Sequence, residues 1–362
     1  MENSEVKKNQ NVFNATSPVM VAEEASQKPL LRVKSLKKYF NVKEKGFRTP
    51  DRIIKAVDGV SFDLMQEEAM GVVGESGCGK TTMGRTILRA LMPTSGEVFL
   101  DCGDKIIDLC QVSRKQLKYL RPKMQMIFQD PYSSLNPRMT ISDIVGEPLK
   151  VNKLAKGSEL CDRVDEMLVK VGLKREHRGR YPHAFSGGQR QRIGIARALI
   201  TKPSLIVADE AVSALDVSVQ AQILNLLHDL KNDFGLTYMF VAHDLSVVRY
   251  LCDTIAVMYC GTIVELARTN DLYDTPKHPY TYALLSAVPE PNPRKRMKRI
   301  MLGGEIADPG NPPSGCRFHP RCQYAKKGIC DVGEPPVLNK LSDGRGVACH
   351  LVDELDFSRP VK

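Results

Sequence analysis

The sequence predicts an α/β fold, a mixed sheet core with a helical subdomain, on three observations. The apolar runs Ala69 to Val73, Leu205 to Ala208 and Tyr238 to Ala242 have the length and continuity of buried strands. Each run leads into polar chemistry: glycines and a lysine after the first, two acids after the second, a histidine after the third. Amphipathic helical patterns lie between them, as in open sheets that bind ligands at the carboxyl ends of their strands.

After the first strand come Gly74, Glu75, Ser76, Gly77, Cys78, Gly79, Lys80, Thr81 and Thr82, the G-x-x-x-x-G-K-[ST] pattern of a phosphate-cradling loop. Gly74, Gly77 and Gly79 let the backbone turn so that successive N–H groups face phosphate oxygens. Lys80 brings a positive charge to the β- and γ-phosphates, and the Thr81 hydroxyl suits Mg²⁺. The helix opened here is predicted to carry Met83, Ile87, Leu88 and Leu91 on its apolar side, its positive end toward the anion.

The second strand releases Asp209 and Glu210 at its carboxyl end. Asp209 reads as the Mg²⁺ partner, and Glu210 as the general base that orients the attacking water. His243 follows the third strand and reads as a γ-phosphate contact, on the order of the motifs. Before the second strand stands FSGGQRQR, starting at Phe185. Ser186 is a good helix cap, Gly187 and Gly188 allow close approach to a phosphate, and Gln189 follows. The helix behind them has Ile193, Ile195, Ala196, Leu199 and Ile200 as its apolar side. A second helix start aimed at phosphate exceeds the needs of one phosphate loop. It makes sense if it serves an ATP held by another subunit.

On these residues the chain resembles the nucleotide-binding subunits of ATP-binding-cassette (ABC) transporters, which are P-loop NTPases. The resemblance implies that Ser186 to Gln189 close over the phosphate loop of a partner. It also implies that Gln129, in FQDPYSS, reaches Mg²⁺ and the attacking water, while the loop around it touches membrane subunits. Asp216, in SALD, then lies at the dimer seam, and Tyr39 stacks on adenine. The expected organisation is a disordered tail over residues 1–28, the cassette over 29–266 and an extension over 267–362. Within the cassette a helical subdomain is expected at about 130–190. Residues 158–172 supply one amphipathic helix for it, with Leu160, Val164, Met167, Leu168 and Val171 on one side.

The extension concentrates four of the ten cysteines, Cys316, Cys322, Cys330 and Cys349, in the spacing C-x5-C-x7-C-x18-C. With no secretory signal at the N-terminus, such clustering points to metal rather than disulfides. Four thiolates in a loop-rich stretch suit an iron–sulfur cluster. His319 and His350 keep zinc as an alternative, and four packed, reduced cysteines are a third reading. HPYTYALLSAVP, from His278, and GGEIADPGNPPSGCRFHPRC closely resemble the extension of ATPase subunits of oligopeptide and dipeptide importers. In that group some subunits carry a [4Fe-4S] cluster on four such cysteines. Two departures stand out: Ala211-Val212 where proline is usual, and Glu67-Glu68 where glycine is common.

The net charge of +10 admits nucleic acid or an anionic membrane surface as a partner. Most of the excess is scattered, and the compact run Arg294 to Arg299 reads as solvated, with lipid head groups as the alternative contact. No run of about 20 apolar residues is present to span a bilayer. One phosphate loop, one signature and no coiled-coil arm argue against DNA- or ribosome-acting relatives. The expectation is a peripheral ATP-hydrolysing subunit on the cytoplasmic face of the membrane. Its implied partners are a second ATPase subunit, two permease subunits and an extracytoplasmic peptide-binding protein, with no nucleic acid.

Overall fold

The computed structural model describes residues 28–42, 52–288 and 300–357, together with the backbone of the short strand Val19–Met20. The expected tail, apart from that strand and Lys28, and the basic run 294–299 lie outside the described residues. The chain divides into two compact units. One draws on Val33–Phe62, Ala69–Glu97 and Val241–Lys362, the other on Met1–Arg32, Asp63–Glu68 and Val98–Phe240.

In the first unit the strand Ala69–Val73 is buried along its whole length and runs parallel to Thr254–Tyr259, with Gly71 opposite Ile255. Thr254–Tyr259 pairs antiparallel with Thr262–Arg268, so the sheet is mixed. Two short strands, Gly346–Val347 and Asn339–Lys340, extend the same edge, so late residues of the chain complete this sheet. The helix Lys80–Ile87 leaves the phosphate loop and buries Met83 and Ile87. It is shorter than the apolar spacing predicts. Arg89 adopts a left-handed φ of 54°, and the N–H groups of Ala90 and Leu91 turn back to the Arg85 carbonyl. Leu88 and Leu91 therefore lie in the closing turn, half-buried, because a left-handed residue ends a helix whatever the apolar pattern beyond it.

In the second unit Met124–Ile127 runs parallel to Leu205–Asp209, with Gln125 opposite Ile206, and Thr237–Val241 lies on the other side of Leu205–Asp209. Every residue of Leu205–Asp209 is buried, the expected state of a central strand covered on both faces. Three helices, Ile141–Val151, Gly157–Lys170 and Gly187–Leu199, pack on one another. Gly157–Lys170 buries Leu160, Val164, Met167 and Leu168, the side its sequence period marks. Among the described residues no helix is long and apolar enough to cross a membrane.

Candidate active site

The predicted phosphate loop, Gly74 to Thr82, is shaped by backbone crowding. Gly79 has φ 107°, and a Cβ there would stand 2.0 Å from the Ala56 carbonyl oxygen. A Cβ on Gly74 would meet the Met258 carbonyl oxygen at 2.1 Å. No side chain can replace either glycine without moving main chain. Lys80 is buried, and its Nζ donates to the carbonyls of Gly74 at 2.7 Å and Glu75 at 3.0 Å. The Cys78 thiol is buried beside it, and burial pushes its pKa up. Ser76, Gly77, Thr81 and Thr82 complete the loop and the first turn of its helix, and the Thr82 carbonyl accepts from the Thr86 hydroxyl at 2.7 Å.

Tyr39 lies in the same unit and is half-buried. Its hydroxyl donates to Asp58, and burial together with that bond pushes its pKa up to about 12. Burial alone would raise the Asp58 pKa; hydrogen bonds from Tyr39 and from Arg317 outweigh this and hold it below the ordinary carboxylate value. Arg317 is itself buried and also donates to the Cys260 carbonyl at 2.5 Å. His243 follows the strand Thr237–Val241 and is exposed.

In the other unit the structure brings two predicted catalytic residues together. Gln129 Nε2 donates to Glu210 Oε2 at 2.7 Å. Glu210 occupies the left-handed region at φ 47°, a conformation that costs energy in a residue with a Cβ. The strain is held by Ser213, whose N–H and hydroxyl both donate to the Glu210 carbonyl, at 3.1 and 3.0 Å. Asp209, one residue earlier, is buried at the strand end. Ala211 and Val212, standing where proline is usual, are both buried in the turn that follows.

The signature forms a reciprocal cap. Ser186 Oγ accepts from the Gln189 N–H at 3.4 Å, and Gln189 Oε1 accepts from the Ser186 N–H at 3.1 Å. The two glycines serve packing within the unit as well. A Cβ on Gly188 would come within 2.5 Å of Val219 Cγ1. Val219 belongs to the helix Val217–Phe234, whose cap is Asp216. The Asp216 carboxylate accepts from the Val219 N–H at 3.0 Å, and hydrogen bonds from that N–H and from Ser218 keep its pKa low. The signature helix also grips the Gln129 loop. Arg197 donates to the Ser134 carbonyl at 2.6 Å, and Gln191 to the Phe128 carbonyl at 3.4 Å. Phe128 and Tyr132 in that loop remain exposed.

Cys316, Cys322, Cys330 and Cys349 line one small cavity together with His278, Phe318, His319 and His350. Burial is the main reason the Cys316 thiol is pushed up to about 11 and Cys349 to about 12, and it raises Cys322 as well. Among the described residues no group of three or more His, Cys, Asp or Glu side chains is arranged to hold a metal ion. The donor set fits a thiolate-bound group, whereas its geometry is that of packed thiols. Binding would require the thiols to lose their protons and draw together.

The sequence assigns no individual role to several residues of this unit. Asp58, Arg317 and Arg321 are charged residues far apart in sequence, and only the fold pairs them. Tyr280, inside HPYTYALLSAVP, uses its hydroxyl to accept from the Glu75 N–H at 2.9 Å.

Comparison with known proteins identifies the family. The family model described as "ABC transporter" matches residues 57–213, and "Oligopeptide/dipeptide transporter, C-terminal region" matches residues 264–330. The oligopeptide transport ATP-binding protein AppF of Bacillus subtilis is 49% identical over 90% of this chain and 98% of its own length. The dipeptide transport ATP-binding protein DppF of Escherichia coli is 48% identical over 92% of this chain and 98% of its own. Among solved structures, the dimeric post-hydrolysis ATP-binding cassette MJ0796 bound to ADP and Pi superposes with a TM-score of 0.57 at 30% identity. That match covers 66% of this chain and 98% of the cassette. With the phosphate loop, the paired Gln129 and Glu210, the capped signature and the C-terminal region all in place, the chain belongs to the ABC ATPases, in the oligopeptide/dipeptide transport ATP-binding branch.

Proposed function

We propose that this ATPase drives a peptide importer, coupling ATP binding and hydrolysis at a cassette dimer to passage of oligopeptides or dipeptides through a membrane channel. The observation that carries the reading is one chain holding both a complete set of hydrolysis motifs and the C-terminal region of peptide transporters. Deletion of the gene followed by uptake of defined peptides tests it. Loss of uptake, restored by the wild-type chain and not by Lys80→Ala, is the expected result; unchanged uptake of every peptide overturns it.

In this reading Gly74 to Thr82 cradle the phosphates and Lys80 leaves the carbonyls of Gly74 and Glu75 to meet them. Mg²⁺, held by Thr81, Gln129 and Asp209, would neutralise charge on the transferring phosphoryl group. Glu210 accepts a proton from the attacking water, with Gln129 orienting its carboxylate. His243 contacts the γ-phosphate, and Tyr39 stacks on adenine with its hydroxyl tethered to Asp58. Ser186, Gly187, Gly188 and Gln189 serve the partner's ATP, and Asp216 lies at the seam between cassettes.

The partners are a second ATPase subunit, a paralogue by family habit, two permease subunits and an extracytoplasmic peptide-binding protein. Exposed Phe128 and Tyr132 supply apolar contact for a permease. The chain then sits at the cytoplasmic face of the membrane. Cys316, Cys322, Cys330 and Cys349 hold a [4Fe-4S] cluster in this proposal, on the support of four thiols lining one cavity. Anaerobic purification tests that part separately. About four irons per chain is expected; one zinc favours the alternative, and neither metal returns the cysteines to simple packing.

A further inference from the structure

The phosphate loop contains an acid. Glu75 follows Gly74 directly, in a segment whose task is to bind a polyanion, and an ionised carboxylate there repels phosphate. The structure answers that charge from the far end of the sequence. Arg321 lays its guanidinium on both Glu75 oxygens, at 2.6 and 2.9 Å, in a bidentate fork. The Arg321 side chain is only 6% exposed and that of Glu75 23%, so solvent screens the pair weakly. Tyr280 takes the Glu75 N–H at 2.9 Å, and Lys80 takes its carbonyl at 3.0 Å. Residue 75 is thus held at its side chain, its N–H and its carbonyl, two of the three by residues of the C-terminal extension.

We propose that Arg321, assisted by Tyr280, is a positioning residue for ATP: it neutralises Glu75 and fixes the first turn of the phosphate loop, so the C-terminal extension sets nucleotide affinity. The proposal rests on Gly74 to Thr82 being the ATP loop. It extends that reading, because Arg321 lies far from the loop in sequence and meets it through Glu75. The position of Arg321 is itself constrained. It closes a single turn, His319–Arg321, directly before Cys322, while Arg317 directly follows Cys316. One short segment therefore carries two cavity cysteines, the partner of Glu75 and the partner of Asp58.

A mere structural tie and a positioning residue predict different behaviour in a double-mutant cycle. Removing Arg321 alone leaves an unpaired carboxylate in the phosphate loop, whereas removing both charges leaves none. Equilibrium binding of a fluorescent ATP analogue to the full-length chain, and the ATPase of the assembled transporter, provide the readouts. Arg321→Ala should raise the Kd by about tenfold or more, the scale of an uncompensated buried charge. KM for ATP should rise with it, while kcat at saturating ATP changes by less than about threefold. Arg321→Ala combined with Glu75→Gln should recover most of the lost affinity, and Arg321→Lys should fall between wild type and alanine. Far-ultraviolet circular dichroism and a melting curve on each variant separate folding from binding, and the neutral double variant keeps the comparison open if Arg321→Ala unfolds. An unchanged Kd in folded Arg321→Ala, or a double variant no better than the single, overturns the proposal. Failure of the wild-type chain to bind, or equal binding by Lys80→Ala, would instead refute the phosphate-loop reading.

Discussion

Gln129 and Glu210 meet in a 2.7 Å hydrogen bond, although 81 positions separate them and Glu210 holds a left-handed φ of 47°. A strained acid tethered to an amide is the arrangement expected of a group that must keep one direction while a water approaches it.

Glu210→Gln should therefore separate binding from chemistry. The amide keeps the shape and loses the base, so hydrolysis by the assembled transporter should fall by about a hundredfold or more. ATP affinity should stay within about threefold of wild type. Lys80→Ala should do the reverse and weaken binding first. Single-turnover measurement beside equilibrium binding distinguishes the two, and near-normal turnover in Glu210→Gln would remove Glu210 from the base position.

The signature should act on a neighbour's nucleotide. Ser186→Arg places a bulky cation at the capped start of the Gly187–Leu199 helix, and mixing it with a wild-type partner cassette should lower hydrolysis at the partner's ATP. Loss of the cap itself costs about 1 kcal/mol, so Ser186→Ala serves as the control for stability. Full-rate turnover independent of protein concentration would rule out the shared site.

Gly188 should resist even the smallest side chain. A Cβ would stand 2.5 Å from Val219 Cγ1, so Gly188→Ala should destabilise its unit by about 1–3 kcal/mol. Val219→Ala in the same chain should relieve most of that loss. Urea unfolding of the single and double variants checks it; additive losses would mean the two residues are not in contact.

Acid should loosen the tether of Tyr39. The Asp58 pKa is lower in the folded chain than its ordinary value, so the unfolded chain binds the proton more readily. Its stabilisation is present in full above the ordinary carboxylate value and is lost as pH falls through the depressed folded value. Asp58→Asn should flatten this part of the acid limb of a stability profile, and an unchanged limb would show that Asp58 does not contribute to it.

Removing the cysteines should be felt at the phosphate loop. Cys322→Ser alters the residue next to Arg321, whose fork holds Glu75. The expected outcome is a lower melting temperature together with a raised KM for ATP. A change in metal content with KM untouched would separate the cavity from the loop.

The sequence alone determined the chemistry that is local in the chain. Gly74 to Lys80, the apolar run that ends in Asp209, and Ser186 with Gln189 each depend on neighbours within a few residues. Strand burial, glycine conformation and helix capping act over that range, so the residue order carries them. Even a departure was legible in part: Glu67, at a position where glycine is common, takes a left-handed φ of 61°. Its N–H donates to the Thr237 hydroxyl at 2.8 Å. The apolar pattern misjudged the end of the Lys80–Ile87 helix because Leu88 and Leu91 continue its spacing, while the turn at Arg89 is set by backbone conformation.

Tertiary structure decided the pairings between distant residues. The bond between Gln129 and Glu210, the hold of Arg321 on Glu75, the holds of Arg317 and Tyr39 on Asp58, and the gathering of four cysteines round one cavity join residues separated in sequence. No periodicity marks Arg321 with Glu75 or Arg317 with Asp58, since each of these side chains by itself reads as an ordinary charge, whereas the clustering of the cysteines and the roles of Gln129 and Glu210 were already expected from the sequence. Two charges far apart in a chain become one interaction only when the fold brings their backbones together, and the low local dielectric then makes the choice of partner matter.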